Sequence, residues 1–249
     1  LRSNKIRLSS SCSVVINMSS KPVVLIPAFE PRGYLIDLVK KIDETDCDTV
    51  IVDDGSGNNY KDVFKECEKY AHVISYEENK GKGYALKTGL KYIAEKYVDN
   101  YYVITMDADG QHTINDALEL YELCKKHPNT LIIGKRIRGK NTPLRSRIGN
   151  NLTAFIFKLK TGRYVYDTQS GLRVFSYKLM EDMLSVDGDR YEYEMNVLLW
   201  CIKNKIPIKE SKVSTIYLDN NSDSHFNVFR DSFQIYKELF KYRKKKDKR

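Results

Sequence analysis

The chain has 249 residues, 41% of them hydrophobic and 11% aromatic, enough for one sizeable core; disordered and fibrous classes are excluded. No stretch approaches the roughly 18 uncharged apolar residues of a membrane-spanning helix, and the longest buried-looking run covers only residues 197–202. The formal charge of +9 sits at the two ends: residues 1–18 carry three basic residues and no acid, and residues 241–249 carry seven basic residues and one Asp. The body between them is near neutral, which excludes a nucleic-acid binder working through a basic surface.

Five widely spaced cysteines (Cys12, Cys47, Cys67, Cys124 and Cys201), none in a C-x-x-C arrangement, point to a reducing compartment and to neither a zinc nor a redox motif. The apolar stretch Val14, Val15, Ile16 is shorter than the core of a secretory signal. Met18 is therefore expected as the natural start and residues 1–18 as an N-terminal extension, although the composition by itself also fits a transit peptide.

From Lys21 onward, short apolar runs alternate with amphipathic ones. Strands are predicted at 23–27, 49–53, 72–76, 101–106 and 130–133, separated by helices at 34–42, 60–70, 84–97 and 114–126. Such alternation predicts an α/β fold with a mostly parallel sheet covered by helices. Runs such as Val50-Ile51-Val52 and Leu131-Ile132-Ile133 suit strands buried on both faces. The second half is less regular: a basic loop at 136–147, a helix at 152–160, a Gly-containing strand at 171–175, a helix at 192–204 and a strand at 213–217. With no repeat and no low-complexity linker, one domain is expected over residues 19–225, followed by an amphipathic helix and basic tail over 226–249.

In an open parallel sheet, ligands bind beyond the carboxyl ends of the strands. Those ends are acidic here: Pro27-Ala28-Phe29-Glu30, Asp53-Asp54-Gly55-Ser56-Gly57 and Asp107-Ala108-Asp109-Gly110-Gln111-His112. Crowded carboxylates repel, so they share a proton or hold a cation. Asp107 and Asp109 form a D-x-D that can reach one Mg2+ or Mn2+ while leaving positions for phosphate oxygens; taken alone, it is equally an ordinary Asp/Gly turn. The loop Glu78-Asn79-Lys80-Gly81-Lys82-Gly83 precedes a helix, where backbone N–H groups and two Lys side chains could meet phosphate. It is neither a P-loop nor a G-x-G-x-x-G fingerprint, and an ordinary capping turn reads the same way.

The ordered motifs Leu25-Ile26-Pro27-Ala28-Phe29, Val52-Asp53-Asp54-Gly55-Ser56, Asn79-Lys80-Gly81-Lys82-Gly83 with Ala85 and Gly89, and Met106 to His112 resemble glycosyltransferase family 2. Gly134-Lys135-Arg136 and Asp167-Thr168-Gln169-Ser170-Gly171-Leu172-Arg173 resemble its dolichyl- and polyprenyl-phosphate sugar synthase branch. The resemblance implies a GT-A, Rossmann-like fold, a nucleotide-sugar donor, a divalent metal and inversion at the anomeric carbon. It implies that Pro27, Phe29 and Glu30 hold the nucleoside, with Asp53 and Asp54 near base and ribose and Lys82 near the diphosphate. Asp107 and Asp109 would hold the metal, with Gln111 near the metal or donor sugar. Glu30 stands where the family more commonly has Asn, which leaves uracil and guanine both open.

An acceptor hydroxyl must lose its proton during attack and needs a positioned carboxylate, for which Asp167, Glu192 and Glu194 are the candidates. The two glutamates equally suit a helix N-terminus without any catalytic duty. A lipid phosphate monoester, with a second pKa near ~6, is largely dianionic already and needs cations instead. Arg136, Arg145, Arg147 and Arg173, with Ser170, form such a set, and planar guanidinium groups match phosphate oxygens; without the resemblance they would read as a solvated basic face. His112 and His225 are potential metal or phosphate ligands, though histidines near loops are commonly simple polar residues.

Phe229, Phe233, Tyr236 and Phe240 recur at helical spacing, with Ile235, Leu239 and Tyr242 beside them, ahead of a basic run from Lys241 to Lys246. This pattern suits a helix lying on an anionic bilayer, and it equally suits aromatics covering the domain's own core. The expectation is an inverting, metal-dependent enzyme at the cytosolic face of a membrane, peripheral to it. Its expected partners are a nucleotide-sugar, a lipid phosphate and the bilayer surface, with a membrane protein or a second copy as further options. A family member acting on a saccharide or protein hydroxyl, and a non-catalytic nucleotide-sugar binder, are the alternatives.

Overall fold

The computed structural model describes residues 20–137, 144–214 and 228–243, without the side chains of 144–148 and 228–229. The first half follows the predicted order: β1 (Lys21–Ala28), α1 (Tyr34–Asp43), β2 (Asp48–Asp53), α2 (Lys61–Cys67), β3 (His72–Ser75), α3 (Lys82–Lys96), β4 (Tyr101–Thr105), α4 (Ile114–Lys126) and β5 (Leu131–Arg136). Then come α5 (Leu144–Thr161), β6 (Arg173–Ser176), α6 (Met180–Ser185), α7 (Glu192–Lys203), β7 (Ile208–Val213) and α8 (Val228–Lys241). One seven-stranded sheet results, in the order β3-β2-β1-β4-β6-β5-β7. The β1–β2, β1–β4, β2–β3 and β5–β7 pairs are parallel, whereas β6 runs antiparallel to both β4 and β5.

Because side chains alternate along a strand, the consecutive apolar residues fill two cores. Val23, Leu25, Val50, Val52 and Val103 meet Leu86, Leu90 and Ile93 of α3, Phe157 of α5 and Leu198 of α7 on one face. Val24, Ile26, Ile51 and Ile104 meet Leu35, Val39 and Ile42 of α1 and Leu120 and Cys124 of α4 on the other. Cys47, Cys67, Cys124 and Cys201 are buried free thiols, and Cys12 lies outside the described residues.

The second half departs from the sequence reading in three places. Helix α5 begins at Leu144, eight residues before the predicted start, so Arg145 and Arg147 fall in its first turn and not in a loop; their side chains, like His225, lie outside the described residues. The last strand is Ile208–Val213 and not 213–217. It is an edge strand with the polar interior Lys209-Glu210-Ser211-Lys212 and only Ile208 and Val213 buried, a pattern that hydrophobicity does not flag. Helix α6, one and a half turns long, was not predicted; its Met180 and Met183 close the core beneath α3.

Helix α8 has two faces, one of which covers the domain's own core. Ile235 and Leu239 are buried in the core, and Thr153 of α5 hydrogen-bonds Tyr236 at 3.2 Å, so the helix is part of the domain. On the opposite face Phe233 and Phe240 are 67% and 62% exposed. Among the described residues no helix is long and apolar enough to cross a membrane.

Candidate active site

After β3 the chain crosses back to place β4 beside β1, so a crevice opens between their carboxyl ends. A cavity of about 500 Å³ lies there, lined by Pro27, Phe29, Glu30, Asp54, Lys82, Asp107 and Asp109 of the residues singled out in the sequence. Arg32, Tyr60, Arg190 and Tyr191 also line it, and sequence reasoning missed these. Arg190 and Tyr191 stand more than 80 residues beyond the D-x-D, and no spacing rule marks them.

The loop between β4 and α4 delivers the D-x-D. Met106 still bonds to β1 through its N–H to the Leu25 carbonyl (3.0 Å). At the far end Thr113 caps α4 by accepting the Asp116 N–H at 3.0 Å. In between, Asp109 Oδ1 accepts the Gln111 N–H at 3.0 Å. Thr105 Oγ1 donates to the Gly171 carbonyl (2.8 Å), which brings Gly171 alongside Asp107. A Cβ at that glycine would collide with both Asp107 carboxylate oxygens.

Lys82, in the first turn of α3, places its Nζ 2.7 Å from Asp107 Oδ1 and 3.0 Å from Glu194 Oε1 of α7. Burial alone would raise the Asp107 carboxyl, but the Lys82 ammonium, with His112 and Arg136, holds it at about 2. Asp109 is pushed up to about 6 by burial and then by its neighbour Asp107. His112 is only 3% exposed and neither ring nitrogen has a hydrogen-bond partner; burial lowers its pKa to about 4 although Asp107 opposes this.

The paired carboxylates fit a hard dication. Burial and the neighbouring Asp107 make Asp109 hold its proton more tightly, although Lys82 and Arg136 oppose this. Among the described residues no three His, Cys, Asp or Glu side chains form a metal cage. Asp107, Asp109 and Gln111 would be an incomplete shell of the kind Mg2+ and Mn2+ complete with phosphate oxygens.

In the glycine loop, backbone N–H groups expected to meet phosphate are met by a carboxylate of the protein. Asp54 fills that role itself: its carboxylate accepts the Lys80 N–H (2.8 Å), the Gly81 N–H (2.8 and 3.1 Å), the Asn79 amide (3.0 Å) and the Tyr76 hydroxyl (2.6 Å). Tyr84 N–H goes to the Asp189 carbonyl at 2.9 Å. Asp54 therefore braces the start of α3, and the amides of Lys80, Gly81 and Tyr84 are engaged within the protein. Asp53 acts in the neighbouring turn: its Oδ1 accepts the Ser56 N–H (2.9 Å), and Ser56 Oγ accepts the Glu30 N–H (2.8 Å).

The arginine set is also divided. Arg136 is gripped by Asp167 through Nε (2.9 Å) and Nη2 (3.2 Å), a forked pair at the end of β5. The Asp167 N–H is in turn held by Glu210 Oε1 at 3.1 Å. Arg173 is 4% exposed, with Nε, Nη1 and Nη2 donating to the carbonyls of Ser170, Glu194 and Thr168. Contrary to expectation it is a staple between the 168–170 loop and α7, withdrawn from the cavity. Ser170 is wholly buried and its Oγ has no partner.

A mostly parallel sheet flanked by helices, with paired carboxylates at the β1/β4 crevice, is the architecture of GT-A glycosyltransferases. Glucosyl-3-phosphoglycerate synthase from Mycobacterium tuberculosis, solved with uridine diphosphate, is similar with a TM-score of 0.67 at 18% identity, over 89% of this chain and 79% of that one. The family model described as "Glycosyl transferase family 2" matches residues 23–184, and the chain belongs to that family. It is 33% identical over 239 residues to the UDP-N-acetylglucosamine–dolichyl-phosphate N-acetylglucosaminyltransferase of Methanococcus voltae, covering 87% of this chain and 93% of that protein. It is 26% identical over 251 residues to the dolichyl-phosphate beta-glucosyltransferase of Saccharomyces cerevisiae, covering 87% and 72%. The similarity is thus to the dolichyl-phosphate sugar synthase branch.

Proposed function

We propose that the chain transfers a sugar, with inversion, from a UDP- or GDP-sugar to a polyprenyl- or dolichyl-type phosphate at the cytosolic face of a membrane, with Mg2+ or Mn2+ as cofactor. The observation that carries the acceptor class is the engagement of every carboxylate considered as a base. Asp167 clamps Arg136, Glu194 bonds Lys82, and Glu192 accepts the N–H groups of Asp189 and Arg190 at 3.1 and 3.3 Å. A phosphate monoester, near-dianionic at neutral pH, needs none of them. The names of the archaeal and yeast relatives point to the same acceptor class.

In this reading the nucleoside lies against Pro27, Phe29 and Glu30, and the diphosphate lies toward Asp107 and Asp109. The acceptor oxygen attacks the anomeric carbon from the face opposite the departing nucleoside diphosphate. Arg136, oriented by Asp167, with Arg145 and Arg147 on α5, supplies positive charge for the acceptor phosphate. A dication on Asp107, Asp109 and Gln111 would act as a Lewis acid toward the leaving diphosphate.

The test is incubation with a panel of UDP- and GDP-sugars, Mn2+ or Mg2+ and a short polyprenyl phosphate. Lipid-linked sugar is expected, and Asp109→Asn should reduce it at least about 100-fold while far-UV circular dichroism is unchanged. Sugar appearing on a saccharide hydroxyl and not on the lipid would overturn the acceptor.

A further inference from the structure

The cavity holds an arginine whose donor has nothing to bond. Arg190 lines it together with Asp107, Asp109 and Lys82, and the Arg190 Nε atom is fully buried without a hydrogen-bond partner. A buried N–H left unpaired costs on the order of 1–3 kcal/mol, so such a group in a native site calls for an acceptor.

The segment around it is held in place. Asp189 accepts the Tyr84 N–H through its carbonyl and pairs with Lys87 at 2.8 Å, and Glu192 accepts the Arg190 N–H. The Arg190 stem crosses Gly81, where a Cβ would sit 2.8 Å from Arg190 Cγ and 2.5 Å from the Asp189 carbonyl. The stem of Arg190 is thus held against the start of α3.

Charge points the same way. The cavity lining has four acids, Glu30, Asp54, Asp107 and Asp109, against Arg32, Lys82 and Arg190. Lys82, which the sequence assigns to the diphosphate, is already held between Asp107 and Glu194. An arriving phosphate therefore needs a cation other than Lys82.

We propose that Arg190 is a substrate-binding residue that takes phosphate oxygens in this cavity, chiefly those of the donor's diphosphate. The inference rests on the donor reading above and adds a residue to it. A guanidinium is suited to this because it is always charged and offers parallel N–H donors to two oxygens.

The experiment measures binding of UDP, GDP, uridine and guanosine by calorimetry, with Mn2+ and with chelator, to wild type, Arg190→Gln and Arg190→Lys. With UDP or GDP, Arg190→Gln should weaken binding at least about tenfold in both conditions and leave the free nucleoside unaffected, with Arg190→Lys between. Should diphosphate binding be unchanged while the KM for polyprenyl phosphate rises tenfold, Arg190 holds the acceptor's phosphate and its assignment to the donor's diphosphate is overturned. If neither changes, or nucleoside and nucleotide weaken in parallel, Arg190 is not a phosphate ligand. Wild-type protein that binds no nucleoside diphosphate at all would instead sink the donor reading, and this inference with it.

Discussion

Lys82 Nζ and Asp107 Oδ1 lie 2.7 Å apart across the floor of the cavity, joining the first turn of α3 to the end of β4. The same ammonium reaches Glu194 at 3.0 Å, so one cation serves two largely buried acids that are 87 residues apart in sequence. Removing it takes from both acids the ammonium paired with them, which in buried pairs costs roughly 3–5 kcal/mol. Lys82→Met should therefore lower the stability of metal-free protein by about that amount in urea titration, and millimolar Mn2+ should restore part of it. A loss below about 1 kcal/mol would mean that the acids find another cation.

Between pH 4 and 6.5, Asp109 and His112 oppose each other. Asp109 has its folded pKa raised to about 6, so the folded state binds the extra proton and stability falls as pH rises through this window. His112 has its folded pKa lowered to about 4, so the unfolded state binds the extra proton and stability rises with pH. Metal-free wild type should show little net slope from these two groups. Asp109→Asn leaves the histidine alone and should lose stability on acidification from pH 7 to 5, whereas His112→Gln should gain it. Equal slopes in the two variants, read from Tm against pH, would contradict this arrangement.

The face of α5 and α8 turned away from the core carries Leu152, Phe155, Leu159, Phe233 and Phe240, all exposed, with Lys160 Nζ 4.8 Å from the Phe240 ring centre. Five apolar side chains beside lysines suit the interface of an anionic bilayer. The double variant Phe233→Ser, Phe240→Ser removes no core contact of Ile235 or Leu239. It should leave Tm within a few degrees while weakening sedimentation with phosphatidylserine vesicles at least about tenfold. Unchanged sedimentation would show that this face does not bind an anionic bilayer.

The first five strands and the acidic crevice were legible because the signals are local: consecutive apolar residues mean burial on both faces, and a carboxylate after a strand sits at the sheet's edge. What the sequence hid depends on distant partners. Nothing near Arg173 indicates that the carbonyls of Thr168, Ser170 and Glu194 will occupy its guanidinium. Asp54 looks like a ligand-binding acid, yet its acceptors are filled by Tyr76, Asn79, Lys80 and Gly81, brought together by the β2–β3 pairing. Strand β7 escaped because an edge strand can be polar at four consecutive positions and still pair in register with β5.

Gly171 illustrates a site residue that works by having no side chain. Its Cα faces the Asp107 carboxylate so closely that any Cβ forces the carboxylate to move, and Lys82 moves with it. Shifts of about 1 Å at a reacting centre cost on the order of 100-fold in rate. Gly171→Ala should therefore cut kcat/KM by about that factor and weaken Mn2+ binding, while Gly134→Ala, next to the pliable Leu172 and Val213 side chains, should not. Full activity in Gly171→Ala would mean that Asp107 need not occupy its observed position.

Glu30 is held in the left-handed region, with φ at 47°, by the bond from its N–H to Ser56 Oγ at the mouth of the cavity. This conformation costs most residues roughly 1–2 kcal/mol, but Asn tolerates it better. An Asn at this position, which the family resemblance makes the commoner residue, would thus have a backbone reason independent of any ligand. Glu30→Asn should keep the Ser56 bond and stabilise the protein by about 1 kcal/mol, a rise of about 2–4 °C in Tm for a chain of this length. The substitution also removes one of four acids from the cavity lining, so UDP and GDP affinities measured alongside report whether the carboxylate faces the base. A preference that shifts between the two nucleotides places Glu30 against the nucleobase; affinities that rise equally show that its charge merely repels the phosphates. A drop in Tm would mean that the Glu30 carboxylate makes a contact stronger than the backbone strain it imposes.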